Sequence, residues 1–290
     1  MEFETHLRTR HYELDSSIHI NNANYLRYLE EARVQMMEKL NFPIKEVYEA
    51  NVQMILYKYV CNFKKQTRFP EELIIRSKQI QVKKLRGILR QEIYNSKNEL
   101  CFSADAYWAY YSPDKSLLNK CIEFAKRFGG EELGTEETFD NYNFDLSKID
   151  SEKKFKSLIL QVRPYEIDSF QHVNNAVYAN YFEIGRWKFR EEVLGDIYFF
   201  KKLNLSFVLY KSEINFIDPA LNFEELELKT YLINLSKTRV VYYQRLYDKK
   251  GILKSDSYSD GCLVDKKDKV TKLTDFAFEK YSNFLVNNPI

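Results

Sequence analysis

The chain reads as an α+β protein built twice, as two tandem units that each wrap a curved antiparallel sheet around one long helix. Three observations predict this. The sequence repeats against itself at a single offset: Arg10 to Arg33 and Arg163 to Arg186 are identical at 13 of 24 positions without a gap, so that Asp168 follows Asp15 by 153 residues. After each of these stretches apolar residues recur at helical spacing. Four runs rich in β-branched and aromatic residues then follow in the same order in both halves.

Each unit opens on a segment of alternating character, "THLRTRHYE" or "LILQVRPYE", which reads as a strand. Next come Tyr25, Leu29, Ala32, Met36 and Leu40 in the first unit, and Tyr178, Phe182, Gly185, Phe189 and Val193 in the second. Each set makes one apolar stripe on a helix of about five turns. The runs "VQMILYKYVCNF", "ELIIRSKQIQV", "GILRQEIYNS" and "ELCFSADAYWAYY" predict four strands. Their counterparts are "LSFVLYKSEINF", "ELELKTYLINL", "RVVYYQRLYD" and "ILKSDSYSDGCLV", with polar turns at Asn95 to Asn98 and at Asp248 to Gly251. Short amphipathic stretches, "LLNKCIEFAKRF" and "TDFAFEKYSNFL", close the units. The first unit is placed at 1–128, an acidic connection at 129–158 and the second unit at 159–290. Residues 131–152 carry eight acids against one lysine and read as a solvated linker.

Composition narrows the function classes. At 290 residues and 44% hydrophobic content, with 22 Tyr and 21 Phe but only 8 Gly and 6 Pro, the chain suits packed interiors filled by large rings. Cys61, Cys101, Cys121 and Cys262 lack C-x-x-C spacing and read as reduced, mostly buried thiols, with no metal site. A net charge of +2 gives no case for nucleic acid, and Lys83, Lys84 and Arg86 read as the solvated end of a strand. No apolar run reaches membrane-spanning length and the N-terminus has no apolar leader, so a cytoplasmic location is expected, without membrane partners.

The doubled motif carries the chemistry. In the second half it comprises Asp168, His172, Asn174 and Asn175; in the first, Asp15, His19, Asn21 and Asn22. Asparagine just before a helix is first of all a cap for an orphan N–H. The same helix end also offers free N–H groups and the positive end of the macrodipole, which can polarise a carbonyl oxygen. A carboxylate beside such a site can attack an acyl carbon or activate water. A lone histidine at a turn is usually structural, yet two of the four histidines in the chain stand at matched positions beside the matched acids. Glu183 and Arg186 read as a surface pair. Tyr25, Tyr28, Tyr178 and Tyr181 belong to the core or to the lining of an acyl pocket, with core the preferred reading.

The run Asp168-x-x-x-His172-Val173-Asn174-Asn175-x-x-Tyr178, followed by an aromatic-rich helix and four strands, resembles the hotdog-fold acyl thioesterases of the 4-hydroxybenzoyl-CoA thioesterase-like branch. The resemblance covers nearly the whole chain, once per half. It implies a double hotdog whose units pair as an intramolecular pseudo-dimer. It also implies a catalytic carboxylate at Asp168 and a main-chain N–H at Asn175 directed at the thioester carbonyl, with Asp15 and Asn22 offered for the same roles. Asn174, Tyr178, Asn21 and Tyr25 would contact substrate. "FQHVNN" is also similar to the "NQHVNN" wording of plant and bacterial acyl-ACP thioesterases, whose downstream catalytic Glu falls near Glu213. Phe170 and Ser17 occupy the position of that cluster's Asn, and Val60 matches Glu213 in the first half.

The expected activity is thus cofactor-free hydrolysis of acyl-CoA or acyl-ACP to free acid and thiol, with the site around Asp168 dominant. Two alternatives remain at this level. One is a hotdog hydratase or dehydratase, although the spacing D-x-x-x-H without an intervening Pro departs from those enzymes. The other is a non-hydrolytic acyl-thioester binding protein. Acyl-chain length, the choice of CoA or carrier protein, and assembly into a homo-oligomer stay open.

Overall fold

The structure is a computed structural model that describes residues 2–130, 137–144, 146, 149 and 154–286. The chain divides into two compact units, Met1–Asp140 and Asn141–Ile290. Much of the acidic connection, residues 131–136, 145, 147, 148 and 150–153, lies outside the described residues.

The first unit runs β1 (Glu2–Arg8), α1 (Asn22–Lys39), α2 (Ile44–Glu49), β2 (Gln53–Phe63), β3 (Glu72–Lys83), β4 (Arg86–Tyr94), β5 (Leu100–Tyr111) and α3 (Leu118–Gly129). Its strands pair antiparallel in the order β1-β3-β4-β5-β2. The second unit repeats the plan with β6 (Phe155–Gln161), α4 (Asn175–Leu194), α5 (Phe199–Lys202), β7 (Ser206–Phe216), β8 (Glu225–Leu235), β9 (Arg239–Asp248) and β10 (Leu253–Val264). A short β11 (Val270–Thr271) and α6 (Asp275–Ser282) complete it. Here the antiparallel order is β6-β8-β9-β10-β7, with β11 beside β10.

The strand expected over "THLRTRHYE" ends earlier than its alternation suggested. Arg10 N–H donates to the Glu13 carboxylate at 2.7 Å, and the chain coils into a 3-10 turn at His11–Glu13. Arg163 and Glu166 do the same at Pro164–Glu166, at 2.8 Å. A side chain that satisfies a local N–H competes with the ladder, which is why the pleat stops there.

The helical stripes are buried as expected from Tyr25 to Met36 and from Tyr178 to Val193, while Leu40 caps α1 and is only partly covered. Beneath each helix the sheet face is not purely apolar. Gln244 on β9 donates to the main-chain oxygen of Phe182 at 2.9 Å and to Thr230 at 3.0 Å. Gln91 on β4 donates to Leu29 O at 3.1 Å and to Ser77 at 3.0 Å. These amides fit because the helix comes close: a Cβ on Gly185 would stand 2.5 Å from Leu228 and 2.6 Å from the Gln244 amide nitrogen.

Arg186 corrects the reading of a surface pair with Glu183. It faces the sheet at 6% exposure and donates to Gln244 at 3.1 Å and to Ser259 at 2.9 Å. Burial pushes its guanidinium down to about 10. Arg33 is its counterpart, bound to the Tyr59 hydroxyl at 2.6 Å and to Gln91 at 3.0 Å. Helical period alone cannot tell a buried Arg from a solvated one, because position i+3 from an exposed residue borders the apolar stripe.

In the described part of the acidic connection Glu137 and Asp140 are exposed, while the apolar side chains pack. In the first unit Phe139 N–H donates to the buried Asp105 carboxylate at 2.8 Å, and the Arg90 guanidinium, paired with Asp105, lies 4.2 Å from the Phe139 ring. In the second unit Tyr142, Phe144 and Leu146 cover a buried cluster formed by Ile149, Tyr231, Ile233, Val241, Tyr243, Tyr258 and Val286.

Candidate active site

Each motif folds into one tight loop between the 3-10 turn and its helix. Asp168 N–H donates to His172 O at 2.8 Å, and the Asp168 carboxylate accepts from Phe170 N at 2.9 Å and His172 N at 3.3 Å. In the first unit Asp15 N–H donates to His19 O at 2.8 Å, and its carboxylate accepts from Ser17 N at 2.7 Å and His19 N at 3.2 Å. The four-residue spacing from acid to histidine is therefore, at the local level, a turn in which the acid closes on the backbone ahead of it.

The asparagine pair divides its work. Asn174 caps α4 through Ala176 N at 2.9 Å, and Asn21 caps α1 through Ala23 N at 3.0 Å. Asn175 and Asn22 are the first helical residues, and their own N–H groups have no acceptor among the described residues. Those donors sit at the positive helix end, in the same short loop as the acid.

The loops are held from below. Val173 N–H donates to Ala220 O at 2.9 Å, and Ala220 N–H donates to the Tyr178 hydroxyl at 3.1 Å. Ile20, Thr67 and Tyr25 repeat this in the first unit, at 2.9 and 3.2 Å. The phenols of Tyr25 and Tyr178 are both pushed up to about 12 by burial. Both therefore combine core packing with support of the loop.

Asn174 N–H and Asn21 N–H each donate at 2.9 Å to the main-chain oxygen of a buried acid, Glu166 and Glu13 respectively. Sequence reasoning missed these two carboxylates, although "YE" stands before both motifs at the repeat offset. Lys254 was missed as well. Its side chain is 6% exposed and reaches Asp218 at 2.6 Å, Glu224 at 3.3 Å and Asp248 at 3.5 Å, anchoring the loop after β7. Burial opposes its charge, but the bond to Asp218 and the Glu224 carboxylate overcome that and raise the ammonium above its ordinary range. Cys101 stands at the matching position of the first unit.

The loops differ at one further place. Ile18 adopts φ 61° and is 65% exposed, whereas its counterpart Gln171 adopts φ 66°. A β-branched residue in the left-handed region is strained, and this one stands between Asp15 and His19.

Asp168, His172, Asn174, Asn175 and Tyr178 thus come together at one loop–helix junction, and Asp15, His19, Asn21, Asn22 and Tyr25 at another. Glu213 occupies a different setting. Gln244 faces α4 and lies opposite Ser257, which lies opposite Ile214. Strand alternation therefore turns Glu213 to the other face of the sheet. There it is 4% exposed and accepts from Tyr142 N at 3.0 Å and Asn215 at 3.4 Å. Among the described residues no group of three or more His, Cys, Asp or Glu side chains is arranged to hold a metal ion, and no helix is long and apolar enough to cross a membrane.

A family model described as the thioesterase-like superfamily matches residues 9–113 and again 162–277. The chain is 29% identical over 99 residues to the chloroplastic acyl-acyl carrier protein thioesterase ATL3 of Arabidopsis thaliana, a match that takes in 34% of the chain and 52% of that protein. It spans about half the length of the curated relatives it matches. Two solved structures share its fold over most of both chains. The 12:0-ACP thioesterase from Umbellularia californica superposes with a TM-score of 0.65 at 12% identity, covering 91% of this chain and 94% of that one. An acyl-ACP thioesterase from Bacteroides thetaiotaomicron gives 0.64 at 12% identity, covering 90% and 97%. The fold is thus a tandem hotdog.

Proposed function

Because the chain belongs to the thioesterase-like superfamily, we propose that it hydrolyses acyl thioesters to free acid and thiol, with the loop around Asp168 as the principal site. One observation carries this reading: an aspartate is fixed in the same tight loop as a helix whose first N–H, that of Asn175, has no acceptor among the described residues. A thioester carbonyl oxygen bound to that N–H would feel the positive helix end, which stabilises the oxyanion formed when the acyl carbon is attacked. The Asp168 carboxylate acts as nucleophile or draws a proton from water. The C–S bond breaks, and the thiolate leaves and takes up a proton; where Asp168 itself has attacked, water then cleaves the mixed anhydride, releasing the acid and restoring the carboxylate. His172 shapes the loop through its main chain. The resemblance of "LYKSEINF" to the acyl-ACP thioesterases makes Glu213 the candidate second carboxylate, reached from the sheet face opposite α4.

The acyl-carrier-protein thioesterases that the chain resembles support carrier-protein thioesters as substrates, with CoA thioesters as the other carrier to be compared. Both should be tested by incubating the protein with acyl-CoA and acyl-carrier-protein thioesters of graded chain length and titrating the thiol released. Thiol release is the expected result. Saturable binding without release would replace the hydrolase with a binding protein, and a hydrated acyl thioester would replace it with a hydratase.

A further inference from the structure

The acidic segment ahead of β6 makes a specific connection to Glu213. Tyr142 donates its main-chain N–H to Glu213 Oε2 at 3.0 Å and its hydroxyl to Asp260 Oδ2 at 3.1 Å. Its ring stacks on Tyr258 at 5.1 Å and on Phe144 at 5.9 Å between centroids, and Lys211 Nζ lies 4.7 Å from the ring centre. Asp260 is itself fully buried and paired with Arg239. The other Glu213 oxygen, Oε1, accepts from Asn215 Nδ2 at 3.4 Å, and the same amide is bound at 2.7 Å to Asp256, which also accepts from the Tyr243 hydroxyl at 3.0 Å.

Each Glu213 oxygen therefore meets an N–H donor of different origin. Asn215 belongs to the same strand and is set by the sheet. The peptide N–H of Tyr142 belongs to a segment without regular structure, so it stays in place only while that segment is pinned. The stacks of Tyr142 and Phe144 on Tyr258, and the hydroxyl bond to the buried Asp260, do the pinning.

We propose that Tyr142 is a positioning residue for Glu213: its anchored side chain holds the main-chain donor that orients the carboxylate. The inference rests on the reading of Glu213 as the second carboxylate of the hydrolytic site. It makes Tyr142 part of the working site of the second unit. The first unit has Val60 in place of Glu213, and there the segment binds Asp105 through Phe139 instead.

The test uses the full chain with decanoyl and palmitoyl thioesters of CoA and of carrier protein, and compares Tyr142→Ala, Tyr142→Phe, Glu213→Gln and Asp168→Asn. Loss of the anchor lets the donor drift, and a misplaced catalytic group costs on the order of tenfold in kcat with KM nearly unchanged. Tyr142→Phe keeps the stacking and should recover most of the rate. If Tyr142→Ala loses its cooperative melting, Tyr142→Leu, which fills the space without stacking, is read in its place. A folded variant with the parental kcat would overturn the proposal alone. Full activity in Glu213→Gln, beside an inactive Asp168→Asn, would remove the role of Glu213 and the proposal with it. Absence of thiol release by the parent protein across all four substrates would overturn the hydrolase reading itself.

Discussion

Glu166 and Tyr181 share a 2.7 Å hydrogen bond inside the second unit, and the same carboxylate oxygen takes the N–H of Arg163. Burial, and then the bond to Glu166, drive the Tyr181 phenol well above its ordinary range. Glu13 and Tyr28 repeat the pair. Since Glu166 O also receives Asn174 N–H, this acid sets the turn on which the candidate site is built. Tyr181→Phe should therefore cost about 1–2 kcal/mol, as a lost buried hydrogen bond does. The loss should appear as a lower urea midpoint with kcat/KM within about threefold of the parent. A hundredfold loss of rate at unchanged stability would place the pair in the chemistry.

Asp168→Asn should lower kcat by on the order of a hundredfold or more, because it removes the base or nucleophile. The loop should survive, since an amide oxygen can still accept from Phe170 N and His172 N. Asp15→Asn should cost much less. Thiol-release kinetics on variants of matched melting temperature check both; equal losses would mean two working sites.

Gly185→Ala should destabilise the second unit by about 1–3 kcal/mol, because its Cβ would stand 2.5 Å from Leu228 and 2.6 Å from the Gln244 amide, in a tightly packed layer. The first unit carries Ala32 at this position, so the reciprocal change Ala32→Gly opens space instead. Chemical denaturation of the two variants should show the larger loss in Gly185→Ala.

Stability should fall as pH rises above about 10. Tyr25 and Tyr178, buried and pushed up to about 12, keep their protons in the folded chain at a pH where the unfolded chain has lost them. Their contribution is fully present below the ordinary phenol value and is lost as pH climbs toward about 12, at on the order of 2 kcal/mol per phenol. Arg186, depressed to about 10, works in the opposite direction over the same window, but it is one group against two. Urea midpoints measured from pH 8 to 11.5 should decline; a flat profile would contradict the burial of these phenols.

The plan of each unit could be read from the chain because period 2 and period 3.6 alternate cleanly along it. The strands from Glu225 to Leu235 and from Arg239 to Asp248 coincide with their apolar runs. The 153-residue offset located the loops at Asp15 and Asp168 for the same reason: matched residues recur where matched backbones need them. What escaped were charges held by partners far away in sequence. Arg186 meets Ser259, Lys254 meets Asp218 and Asp105 meets Phe139, and none of these pairings has a local signature. Charge counting brings out the solvated acids of the connecting segment and overlooks Phe139, Tyr142 and Phe144, whose rings pack.

Ile18 gives the two loops unequal standing. Both turns ask for a positive φ, but the first asks it of a β-branched side chain and the second of Gln171. A chimera that exchanges residues 15–19 with 168–172 would therefore not be energetically neutral in its parts. Gln would relax the first turn, while Ile would load the second, where Asp168 must hold its aim. Strain in the left-handed region is worth on the order of 1–3 kcal/mol. The protein thus keeps its stiffer, less forgiving turn in the half proposed to do less chemistry, and transplanting that turn would turn a local conformational load into a measurable handicap at the busier site.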